Sequence, residues 1–146
     1  AAMSCVQGIA ALSAEMQNTL DQHNVYRCVH GMPLLEWDED IAANAQAYAE
    51  SANVYTHSSK NDRVINGVQC GENIAWAPEF SGSMATAVWY SEIEFTGAKD
   101  SARYGTATKI QDSVPEGEVI GHYTQIVWKD TTKLGCGQAR MFWANS

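Results

Sequence analysis

Apolar residues recur every four positions near the start of the chain, at Leu12, Met16 and Leu20, and His23 and Arg27 continue the same stripe. This spacing predicts a first helix running to about His30. Gly31, Met32 and Pro33 then form a stop signal, with glycine past the last turn and proline beyond it. Asp38 is a good N-cap for a second helix, with Glu39 and Asp40 well placed in its first turn. Its apolar stripe reads Ile41, Ala45, Tyr48, Ala49 and Ala52. Positions 56–68 are polar and end in Asn66-Gly67, a turn signal, and 68–76 reads as a strand. Ser83 is placed to cap a third helix with Met84, Ala87, Val88 and Phe95 on its buried side, ended by Gly97.

The segment Gly121–Trp128 alternates at period two. His122, Thr124, Ile126 and Trp128 share one face, and Tyr123, Gln125 and Val127 the other. It therefore reads as a strand over about 120–128 that opens on a histidine at a sheet edge. A polar turn through Asp130-Thr131-Thr132-Lys133 leads to a last strand over about 135–142. Residues 1–8 form a loose lead-in, and 97–118 is loop-rich and acidic. Three helices interspersed with strands predict an α+β fold or a three-layer sandwich in one domain spanning 1–146.

Composition narrows the function. Hydrophobic residues make up 45% of the 146 positions, enough for a real core, so a disordered chain is not expected. The net charge is −8, and the nine basic residues are scattered without a stripe. Nucleic acid is not an expected partner, nor is an anionic membrane surface. No apolar run is long enough to span a bilayer, no signal peptide is visible and no Asn-x-Ser/Thr sequon occurs. The cysteines are Cys5, Cys28, Cys70 and Cys136, with no Cys-x-x-Cys pair. Structural disulfides and buried free thiols are both open readings.

Several strings occur together in a recognisable order: His23-Asn24-Val25-Tyr26-Arg27, Trp37-Asp38, His57-Ser58, Gly71-Glu72-Asn73-Ile74-Ala75, Trp89-Tyr90-Ser91-Glu92, Gly121–Trp128 and Leu134-Gly135-Cys136-Gly137. Together they resemble the CAP superfamily of cysteine-rich secretory proteins, venom allergens and plant pathogenesis-related proteins. The resemblance runs from about residue 17 to residue 140. It implies an α-β-α sandwich with a central, mainly antiparallel sheet and a large cleft. It further implies that His57, Glu72, Glu92 and His122 line that cleft and can hold zinc or another divalent cation. Neutral imidazoles would ligate it, and the carboxylates would orient the rings, hold metal-bound water or ligate directly. Gln125 and Tyr123 are expected to support the cleft, and His23 to serve in helix 1 as a packing or hydrogen-bonding residue.

The same resemblance implies a secreted, extracellular protein without enzymatic activity, acting as a binding, defence or signalling module toward an unidentified protein receptor or lipid ligand. Val114, Pro115, Val119 and Ile120 are the candidate contacts for a sterol or fatty acid. The alternative is a metal-dependent hydrolase or protease using the same cleft, although His-Glu-x-x-His and Gly-x-Ser-x-Gly are both absent. Two departures stand out. Asn53 occupies the place of a usual cysteine, and the chain stops before the family's usual last strand and tail. With the usual partners of Cys70 and Cys136 missing, these two either pair with each other or are free; the favoured disulfides are Cys70–Cys136, within the one sheet the resemblance implies, and Cys5–Cys28, with the lead-in folded back on helix 1.

Overall fold

A computed structural model of the protein describes residues 12–51, 55–77, 81–96 and 114–139. Helix α1 spans Ala14–Val29, and Ser13 caps it by accepting a hydrogen bond from the Met16 amide. Its buried side is Thr19, Leu20, His23 and Arg27; the last three belong to the predicted stripe, whereas Met16 is half-buried and Leu12, also half-buried, precedes the helix. Strand β1 (Glu36–Trp37) leads into α2 (Glu39–Ser51). The Asp38 carboxylate accepts from the Asp40 and Ile41 amides, as its N-cap assignment requires. Of α2, only Ala42 is buried; the expected stripe residues Ile41, Ala45, Tyr48 and Ala49 are half-buried, and Ala52 lies outside the described residues.

Strands β2 (Val64–Ile65) and β3 (Val68–Gln69) form an antiparallel hairpin around Asn66-Gly67. Both turn residues have positive φ, 51° and 79°, which is why asparagine and glycine stand there. Helix α3 spans Gly82–Ser91 and continues as a 3₁₀ turn over Glu92–Thr96. Its cap is Ser81, not Ser83: the Ser81 hydroxyl accepts from the Met84 amide. The buried side is also rotated from the expected one. Ala85 and Thr86 are buried, whereas Met84, Ala87 and Val88 are exposed and Phe95 is half-buried. Hydrogen-bonding aromatics explain the rotation. Trp89 donates to the Ile74 carbonyl, and Tyr90 stacks on Tyr26 and bonds to His30.

The segment read as a strand over 120–128 contains a helix, α4 (Gly121–Ile126). His122 therefore does not open a strand at a sheet edge. Helical spacing places Tyr123 and Ile126 together in the core, where both are essentially fully buried. Strand β4 (Lys133–Leu134) pairs in parallel with β1. Beyond it, Gly135 and Gly137 lie directly against the backbone of α2, and a methyl group at either position would overlap Ala42 or Gln46.

The fold is α+β, but the central, mainly antiparallel sheet is not found among the described residues. The strands form two separate pairs, β1–β4 and β2–β3, each two residues long. One expected strand is helical, and close approach to α2 occupies the Gly-Cys-Gly segment. The helical core joins α1 to α3, with α4 against both.

Candidate functional site

A cavity of about 310 Å³ opens between two parts of the chain. His57, Glu72 and Asn73 contribute from one, and Val119, Gly121, His122 and Gln125 from the other. His57 and Ser58 lie in the segment after α2, and Glu72 lies in the segment that leaves β3, since only Val68–Gln69 of the strand expected over 68–76 is a strand. Glu92 begins the 3₁₀ turn after α3, and His122 is the second residue of α4.

Two histidine–carboxylate pairs dominate the geometry. His57 Nδ1 lies 2.7 Å from Glu72 Oε1, and His122 Nδ1 lies 2.6 Å from Glu92 Oε1. A carboxylate oxygen accepts, so each ring donates from Nδ1. Nε2 of both rings is left without a protein partner among the described residues. In each pair the imidazole lies in front and the carboxylate behind: the side chains of His57 and Glu72 are 57% and 15% exposed, and those of His122 and Glu92 28% and 10%.

The carboxylates are held by further donors. Glu72 accepts from the Ser58 amide at 3.0 Å and the Ser58 hydroxyl at 2.6 Å, with the Arg63 guanidinium 3.8 Å away. Burial pushes the Glu72 carboxyl up, but the bonds from Ser58 and His57 and the charge of Arg63 outweigh it and hold the group below its ordinary range. Glu92 Oε2 accepts from the backbone amides of His122 at 2.9 Å and Tyr123 at 3.0 Å. The Asn73 side-chain amide donates to the His122 carbonyl, tying the two parts of the site together, and Trp89 stacks on the His122 ring with centroids 6.2 Å apart.

Among the described residues, no group of three or more His, Cys, Asp or Glu side chains is arranged to hold a metal ion directly. The donor set suits a more open arrangement. Two imidazoles present Nε2, and each is oriented through Nδ1 by a carboxylate, the usual outer-shell partner of a metal-binding histidine. Of the roles open to the glutamates from sequence, ring orientation is the one their bonds occupy.

Residues 20–141 match the family model described as the cysteine-rich secretory protein family, CAP. The chain belongs to the CAP family. In this CAP domain Gln125 reaches the cavity, and its side-chain amide donates to Thr131 at 3.3 Å. Tyr123 does not line the cavity. It is fully buried, edge-on to His30 and Tyr90. Ile120 is likewise buried, Pro115 is exposed and Val114 is half-buried. Val119 alone of the four candidate lipid contacts lines the cavity.

His23 serves α1 as expected, with its buried ring donating to the Thr19 carbonyl at 2.9 Å. The Cys70–Cys136 bridge is not formed, and both residues are free thiols. Cys70 follows β3 whereas Cys136 follows β4, and these strands belong to different pairs rather than one sheet. Burial pushes the Cys136 thiol up to about 12, and burial also raises that of Cys70. Cys28 is exposed on α1; Cys5, and with it the Cys5–Cys28 pairing, lies outside the described residues. Asn53 also lies outside them.

Sequence reasoning missed the roles of Asn73, Arg63 and Trp89 and gave Ser58 none. Asn73 and Ser58 each adjoin a site residue, but adjacency does not reveal that one joins two segments and the other feeds a carboxylate. Among the described residues no helix is long and apolar enough to cross a membrane.

Proposed function

We propose that this CAP domain is a secreted, non-enzymatic binding module whose cleft holds a divalent cation, zinc in the first instance, on Nε2 of His57 and His122. The observation that carries the reading is the pair of carboxylate-oriented imidazoles around one cavity. Bound zinc would supply a Lewis-acidic point for a donor group of a partner. Glu72 and Glu92 fix the rings, and Asn73 keeps the two segments together. Secretion is proposed from family membership.

Binding is favoured over hydrolysis by what the carboxylates already do. Each accepts from an imidazole and from two further protein donors, which leaves neither placed as a general base for water. The Ser58 hydroxyl donates to Glu72 rather than to an imidazole, so it is not an activated nucleophile. A sterol or fatty-acid cargo is not included. Val119 is the only large aliphatic side chain that the described residues give this cavity, too little for a ligand held by apolar burial.

Calorimetric titration of zinc into chelator-treated protein tests the proposal. One ion per chain should bind, and zinc should raise Tm because it binds the folded cleft and not the unfolded chain. His57→Ala and His122→Ala should each abolish the response, and His23→Gln should retain it. Equal zinc responses in the wild type and both alanine variants would refute the site.

A further inference from the structure

Arg27 is fully buried, and among the described residues no carboxylate pairs with it. Its guanidinium instead donates to four backbone carbonyls. Nε reaches Pro33 at 2.6 Å; one terminal nitrogen reaches both Ile126 and Trp128, and the other reaches Thr131, each at 2.8 Å. Three of these acceptors belong to the end of α4 and the turn that follows. A buried cation is costly unless its hydrogen bonds are satisfied, and an apolar side chain of similar volume would fill the space without that cost. The fork of donors is what an apolar residue lacks.

Helix α4 needs such help. It has six residues, too few to persist by local propensity, and Ile120 at its N-cap offers no side-chain bond. Its first-turn amides are bonded from outside, because those of His122 and Tyr123 donate to Glu92. Arg27 takes up carbonyls at the other end. A negative group meets the N-terminus and a positive group the C-terminus, the arrangement that opposes the helix dipole at both ends.

We infer that Arg27 is a positioning residue for the cleft: together with Glu92 it clamps α4 end to end and so fixes the His122 ring, while His57 is held by a second set of bonds. The two rings have different supports, and the bond from the Asn73 side chain to the His122 carbonyl joins them. His57 depends on Glu72, Ser58 and Arg63, none of which bonds to α4. The consequence for zinc rests on the binding function proposed above; the consequence for ring orientation does not.

The experiment uses isotope-labelled full chains, wild type and Arg27→Lys, which keeps the charge but has only an ammonium to bond with. Ring nitrogen shifts of His122 and His57 are read at one fixed pH together with amide exchange across α4. In the wild type both rings should show a proton held on Nδ1. In Arg27→Lys the His122 signals should move toward a tautomer average and the α4 amides lose protection, with the His57 signals unchanged. Zinc affinity should fall about tenfold, the lower end of what outer-shell changes produce. His122 signals unaltered by the substitution, or equal changes at both rings, would overturn the inference. If Arg27→Lys does not fold, native-state exchange in the wild type decides: the guanidinium protons and the α4 amides should open in one event, and guanidinium exchange with α4 still protected would overturn it. A wild type that ignores zinc but shows the ring pattern would sink the proposed function and leave this inference standing.

Discussion

Glu72 and Glu92 perform the same task with different donors. Glu92 draws on two backbone amides as well as a ring, and no substitution at the donor residues except proline removes those amides. Glu72 has one backbone amide, from Ser58, and depends otherwise on the Ser58 hydroxyl and on Arg63, which substitution can remove. Glu72→Gln should therefore destabilise the protein by about 1–3 kcal/mol at neutral pH, since an amide cannot accept from all the donors that face the carboxylate. The sign with pH follows from the depressed carboxyl. Its contribution is complete above the ordinary value of 4.5 and disappears as pH falls through the lower folded value. Urea denaturation of wild type and Glu72→Gln at a series of pH values should show the gap narrowing only in acid. Little of this was legible from residue spacing. His57, Glu72, Glu92 and His122 come from four separate segments, and only the ordered family strings pointed to them together.

At the scale of elements, the clearest disagreement between sequence and structure is α4. Aromatic and β-branched residues at 123, 124, 126 and 127 favour a strand, and the alternation is regular. In a strand His122 and Gln125 would lie on opposite faces. In the helix they stand one turn apart and both line the cavity. Local preference lost because Glu92 and Arg27 supply the end bonds from 30 and about 100 positions away. The error in α3 has a similar cause, since its rotation is set by partners for Trp89 and Tyr90 that periodicity cannot see. Local signals succeeded where the chemistry itself is local: the Asp38 cap, and the Asn66-Gly67 turn with its two positive φ values. The Gly-Cys-Gly segment carries an element-scale prediction. Gly135→Ala would drive a methyl into the backbone of Ile41 and Ala42, so it should cost about 1–3 kcal/mol through overpacking. Equilibrium unfolding checks it, and stability equal to the wild type would mean that α2 and the segment after β4 separate freely.

For the whole molecule, the helical core is notable for its polar content. Thr19, His23, Arg27 and Thr86 are buried beside Leu20, Ala85, Tyr123 and Ile126. Composition showed that a core would form, but it could not show that so much of it would be hydrogen-bonded. Burial lowers the basicity of His23 and His30 from the ordinary 6.5. The folded protein keeps these rings neutral while the unfolded chain protonates them, so their contribution is full above about pH 6.5 and is lost as pH falls toward the folded values. Thermal unfolding between pH 7 and pH 5 should show Tm falling in this range. His23→Gln, though less stable at pH 7, should show a shallower fall. An unchanged slope would mean that His23 is not the group responsible.

The bonds from Arg27 also dictate an order of events. Its partners at Ile126, Trp128 and Thr131 lie 99, 101 and 104 residues further along the chain. Closing so long a loop is slow and yields nothing until it is complete. Helix α1 and the Asn66-Gly67 hairpin can form early from local contacts, but the His122 half of the cleft cannot settle until the two ends of the fold have met. During synthesis the Arg27 guanidinium leaves the ribosome long before its carbonyl partners exist. Pulsed hydrogen exchange during refolding should find the α4 amides protected after those of α1, and the reverse order would show that α4 forms without the clamp. The His122 half of the site should thus mature after α1, and a chain released short of Thr131 would carry His57 and Glu72 but lack a bond that holds their counterpart in place.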